Sequence, residues 1–146
     1  MLGYSGVEAV DFAELFCPGR FAAAAGAFHL TPGSAFDLRT GWDLTTAEGQ
    51  AACWKALEEQ QPAVVIGSPP CAAFSALLNL KPKSAKWREM LQKGWNHLTF
   101  CAAVYKWQSE HGRGFLHEHP WNAYSWNLPM IKDTMKLPGT LVVKLV

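Results

Sequence analysis

The chain has 146 residues, 49% of them hydrophobic and 17% charged, with a formal net charge of +1. That length and apolar content suit a single domain over residues 1–146 and exclude a repeat array or a disordered linker. The near-neutral balance excludes nucleic-acid capture by bulk charge and leaves only local recognition. The charged fraction also lies below the roughly 25% usual in soluble domains, which hints at surface meant for a partner or for further chain.

Met1 to Ser5 lacks the basic and apolar regions of a signal peptide, and no apolar run approaches the ~20 residues of a membrane span. An intracellular protein with no membrane attachment is therefore expected. Val7 to Phe16 is mostly apolar and runs into Cys17-Pro18-Gly19, which predicts a first strand and a turn. The alanine-rich stretch from Arg20 to Phe28 predicts a helix, because alanine loses no side-chain entropy there. Thr31-Pro32-Gly33 breaks it, Ser34 to Leu38 reads as a short strand bearing Asp37, and Gly41-Trp42-Asp43 turns the chain again. Thr45 and Glu48 have capping-box spacing, and Ala51, Trp54 and Leu57 carry an apolar helical stripe to Gln61-Pro62.

Ala63 to Gly67 is short, apolar and β-branched, as a strand buried on both faces of a parallel sheet should be. From Ser84 to about Ser109, Trp87, Met90, Leu91, Trp95, Leu98, Ala102 and Tyr105 recur at helical period, and Gly112-Arg113-Gly114 closes the run. Phe115 to His119 predicts a strand, Tyr124 to Lys136 a helix and Leu141 to Val146 a last strand. Strands alternating with helices imply an α/β fold with a mainly parallel sheet and helices on both faces. Ligands of such sheets bind at the carboxyl ends of the strands. Cys17-Pro18-Gly19, Asp37, Ser68 to Cys71 and Glu118 all fall at such ends.

Ser68-Pro69-Pro70-Cys71 is the most informative stretch, because two prolines stiffen the backbone where a thiol leaves the sheet. A rigidly mounted nucleophile is implied. The other cysteines, Cys17, Cys53 and Cys101, form no CxxC pair and read as small buried hydrophobes. His117 and His119 alternate on a strand, but no third ligand of fixed spacing accompanies them, so no metal is expected. A hydrolytic pair of Cys71 with His119 is a further option that depends on spatial approach. The basic run Lys81 to Lys93 suits phosphate contact and a solvated helix start equally well. Trp121 and Trp126 read as core or interface residues ahead of base-stacking ones.

Pro70, Cys71, Phe74 and Ser75 resemble the Pro-Cys-Gln-x-Phe-Ser segment of the DNA cytosine-5 methyltransferases, with Ala72 in place of the glutamine. Glu14-Leu15-Phe16-Cys17-Pro18-Gly19 is similar to that family's first cofactor motif. Asp43-Leu44 resembles its Asp-Ile, and Phe115 to Pro120 resembles the segment around its catalytic glutamate. The resemblance implies a Rossmann-like methyltransferase fold and S-adenosylmethionine as cofactor. Cys71 would then be the nucleophile and Glu118 the acid, with Phe16, Gly19, Asp37, Asp43 and Pro70 lining the cofactor pocket. DNA would be the substrate, its target base flipped into the site.

The departures from the family shape these expectations. Pro18 and Arg20 replace glycines in the cofactor turn, and five residues between Asp37 and Asp43 cannot hold a helix, so the sheet is abbreviated at that edge. No arginine follows Arg113, and the final strands and the target-recognition domain have no counterpart. DNA binding is therefore expected to be weak or partner-dependent. Two alternatives to an active enzyme stand beside it: a catalytically silent remnant or interaction module, and half of a split enzyme completed by another chain or a downstream segment.

Overall fold

The computed structural model describes residues 9–75 and 84–145. Its elements are β1 (Phe12–Leu15), α1 (Arg20–Ala24), β2 (Pro32–Phe36), α2 (Ala47–Gln60), β3 (Val64–Gly67), α3 (Ala85–Glu110), β4 (Gly114–His117) and α4 (Pro129–Met135). The four strands form one all-parallel sheet in the order β2-β1-β3-β4. The α/β class and parallel sheet expected from the sequence are thus present.

Parallel neighbours need crossovers, and these place helices on the two sheet faces. Ala13, Leu15 and Val65 point to one face, where they join Cys53 and Leu57 of α2 and Phe100, Cys101, Val104 and Tyr105 of α3 in the main core. The alternate residues Phe12, Val64 and Ile66 point to the other, where they meet Phe21, Ala24 and Ala25 of α1 and the turn after it. A second cluster joins Ala73, Phe74, Leu98, Leu128 and Ile131, seating α4 and the Cys71 loop against α3. At the lower end of the sheet the buried Gln108 amide donates to the Pro62 and Gly114 carbonyls, each at 2.9 Å. Its oxygen accepts from Arg113 Nε at 2.8 Å, so one side chain ties the end of α3 to the starts of β3 and β4.

Several boundaries differ from expectation for physical reasons. The described part of the first strand is only Phe12–Leu15; Val7 and Glu8 lie outside the described residues. The Arg20 to Phe28 helix tightens into a 3-10 turn at Ala25–Phe28, ended by His29 in the left-handed region. The cap of α2 is Thr46, whose hydroxyl accepts from Gly49 N at 2.9 Å, one residue beyond the expected Thr45. Tyr124 to Lys136 is split into a 3-10 turn at Tyr124–Asn127 and α4, because Leu128 precedes Pro129 and takes an extended backbone.

The expected last strand is corrected: Leu141 to Leu145 forms no strand and is exposed, with Leu141 at 86% and Leu145 at 88%. Its β-branched composition favours a strand only where a ladder partner is supplied, and none of the four strands pairs with it. Val146 lies outside the described residues. Trp121, expected in the core or an interface, is 55% exposed, whereas Trp126 packs against the second cluster.

Candidate functional site

The sheet order reverses between β1 and β3: the chain steps outward to β2, then returns past β1 to β3 and β4. Open parallel sheets leave a crevice above such a point, at the carboxyl ends of the strands. Backbone hydrogen bonds align those ends. Phe16 N donates to Phe36 O at 2.8 Å, Ser68 N to Leu15 O at 3.0 Å and Glu118 N to Gly67 O at 2.9 Å. Asp37, Phe16, Ser68 and Glu118 therefore follow directly on four adjacent strand ends.

The Phe16 to Gly19 turn leaves β1 under strain. Phe16 has φ 58° and Gly19 φ 85°, both in the left-handed region. For a bulky residue this costs about 1–3 kcal/mol and is found where a site dictates the backbone. The Phe16 ring lies 4.7 Å from that of His97 on α3. His97 Nδ1 is buried and has no partner among the described residues, and burial holds the His97 pKa below its ordinary value.

Glu14, which opens the stretch resembling the first cofactor motif, is a carboxylate inside a mostly apolar strand and is only 1% exposed. Its two carboxylate oxygens accept from Phe21 N and Ala22 N, each at 3.1 Å, and so satisfy the first turn of α1. Asp37 accepts from Arg39 N and Nε at 2.8 Å and from Arg39 Nη2 at 3.1 Å. The hydrogen-bonded Arg39 holds the Asp37 carboxyl below its usual range despite partial burial. Asp43 is exposed and caps its own turn by accepting from Thr45.

The Cys71 loop is seated by its flanks. Pro69 is buried and Pro70 exposed, Cys71 is half-buried, and its carbonyl accepts from Phe74 N at 2.9 Å. Phe74 is 1% exposed and anchors the far side of the loop. Cys17, Cys53 and Cys101 are buried, and burial raises their thiol pKa values, that of Cys101 to about 12. Cys71 is thus the accessible thiol among them. Glu118 is exposed, one residue beyond β4, at the level of Ser68.

The histidines on either side of Glu118 turn inward. Tyr105 Oη lies 2.8 Å from His117 Nδ1, and burial lowers the His117 pKa to about 3. His119 is 7% exposed, with Nδ1 2.6 Å from Ser125 Oγ and Nε2 3.0 Å from Pro69 O. Both its ring nitrogens are engaged, so it offers Cys71 no free base. No cluster of three metal-ligating side chains occurs among the described residues. In the basic run, Lys86, Arg88 and Lys93 are exposed on α3, while Lys81 and Lys83 lie outside the described residues.

His97, Tyr105 and Ser125 gave no functional signal in the sequence, and Glu14 gave one only through the resemblance of its motif. Each acts through a contact with residues from another element. No helix among the described residues is long and apolar enough to cross a membrane. Comparison with family models, with curated proteins and with solved structures finds no match for this chain.

Proposed function

We propose that this chain is a cytosine-5 methyltransferase-like domain that methylates cytosine in DNA. The observation that carries it is the placement of the Cys71 loop between the strained Phe16 turn and Glu118, above the crossing point of the parallel sheet. The residues suit a nucleoside cofactor: an aromatic ring at Phe16, an acid at the end of β2 in Asp37, a second exposed acid in Asp43 and an orphaned buried nitrogen on His97. Gly19 and Pro70 would line the same pocket. S-adenosylmethionine, when bound there, supplies an electrophilic methyl group and leaves as the thioether.

Cytosine C5 is a poor nucleophile until a thiolate adds at C6, so Cys71 gives its proton to solvent water and its thiolate forms the C6–S bond as the C5–C6 double bond opens. Glu118 donates a proton toward N3 and disperses the charge that develops in the ring. After C5 takes the methyl group, water removes the C5 proton, the C6–S bond breaks to return the Cys71 thiolate, and the N3 proton goes back to Glu118. The incompletely covered sheet face, with Leu116 52% exposed, and the near-neutral charge agree with DNA binding that depends on a further chain.

One observation favours a second reading, a catalytically silent remnant. Asp37 is already held by Arg39, and Glu14 already satisfies the first turn of α1, so a cofactor would have to displace an internal partner. Titration calorimetry with S-adenosylmethionine separates the two, with saturable one-to-one binding expected for the enzyme and no heat in a folded sample for the remnant. In a binding-competent sample, Cys71→Ser should abolish methyl transfer with an unchanged melting temperature. Glu118→Gln should slow it by about 100-fold or more. Turnover retained by the serine variant would sink the nucleophile.

A further inference from the structure

Two consecutive prolines leave the Cys71 loop without backbone N–H groups at Pro69 and Pro70, so those two residues cannot donate hydrogen bonds to hold it. Its carbonyls must find donors elsewhere, because a buried polar group left unmade costs about 1–3 kcal/mol. Pro69 O finds one fifty residues away in His119 Nε2, at 3.0 Å. A carbonyl only accepts, so Nε2 carries the proton in this bond. In the neutral ring Nδ1 is then bare and accepts from the Ser125 hydroxyl at 2.6 Å. Burial keeps the ring neutral. The Phe74 ring, 6.5 Å from that of His119, packs on the same imidazole from the other side of the loop.

We propose that His119 is the positioning residue of the Cys71 loop: oriented by Ser125, it pins the Pro69 carbonyl and so decides where the thiol stands. Cys71 acting as the nucleophile is taken from the methyltransferase reading, but the positioning itself is a property of the chain alone. It therefore has a readout that needs neither cofactor nor DNA. Cys71 is half-buried while Cys17, Cys53 and Cys101 are buried, so iodoacetamide alkylation followed by peptide mass spectrometry resolves local loop release from global unfolding.

In His119→Ala the alkylation of Cys71 alone should rise about tenfold, as expected for one lost buried hydrogen bond. His119→Gln keeps an amide donor near the Nε2 position and should return the rate close to that of the wild type. A Cys71 rate unchanged in a folded alanine variant overturns the proposal. So does an equal acceleration of all four cysteines, or a folded glutamine variant that behaves like alanine. If His119→Ala does not fold, Ser125→Ala, which removes only the orienting hydroxyl, decides by the same criteria. A chain that shows the predicted alkylation pattern and yet binds no S-adenosylmethionine would refute the methyltransferase reading and leave the positioning role intact.

Discussion

His117 shows how a single buried side chain ties stability to pH. Its imidazole lies against the rings of Tyr105, His119 and Trp126, and its Nε2 has no partner among the described residues. Burial, with a smaller contribution from His119, lowers its pKa from 6.5 to about 3. Between those values the unfolded chain binds a proton that the folded chain refuses, so stability falls as pH falls. The slope approaches about 1.4 kcal/mol per pH unit for one such group. Urea unfolding between about pH 7 and pH 5 should show it, and His117→Gln should reduce the slope, with the half-buried His97 and the buried His119 supplying the remainder. An undiminished slope in that variant would remove His117 from the account.

At the scale of elements, the Cys71 loop depends on how closely α3 approaches it. Gly94 lies in the buried face of α3, where an added Cβ would stand 2.8 Å from Phe74 Cε2 and 3.1 Å from Ala73 Cβ. Glycine inside a helix costs about 1 kcal/mol relative to alanine, so helix propensity alone favours substitution. The contact overrides it, because Phe74 is fully packed and cannot yield without moving the loop. Gly94→Ala should lower stability by about 1–3 kcal/mol in chemical denaturation. A more stable variant would show that the approach is slack. Gly67 answers the same need on β3, where an added Cβ would collide with Tyr105 Oη.

Over the whole molecule the sheet is covered unevenly. One face is sealed by α2 and α3, whereas the other carries α1 and the short turn after it. A groove of about 440 Å³ remains there, lined by Phe21, Phe28, Leu30, Val64 and Ile66 among others. Phe28 is 71% exposed, and Leu116 on the edge strand β4 is 52% exposed. All-parallel sheets ordinarily bury both faces, which makes this surface unusual for the class. The chain should therefore bind an apolar fluorescent dye in its native state, and the double substitution Phe28→Glu and Leu116→Glu should abolish most of the signal. Stability should shift by less than about 1 kcal/mol, because both side chains are already exposed. Dye binding that persists in the double variant would place the apolar surface elsewhere.

The local elements were legible in the sequence because short-range physics decides them. Alternating strands and helices, the stop at Gln61-Pro62 and the long period from Ser84 follow from propensity, capping and side-chain spacing. The strand-end location of Asp37, Glu118 and the Pro-Pro-Cys loop followed from the same patterns. Tertiary structure alone decided the rest. His119 reaches Pro69 across fifty residues, Glu14 closes α1 from within a strand, and Gln108 joins the starts of β3 and β4. Such pairings leave no periodic trace, since each needs one polar side chain at the right depth once the strands are in register. The Leu141 to Leu145 segment is the converse case: its residues favour a strand, but a strand exists only where a neighbour offers hydrogen bonds, and only the assembled sheet determines that.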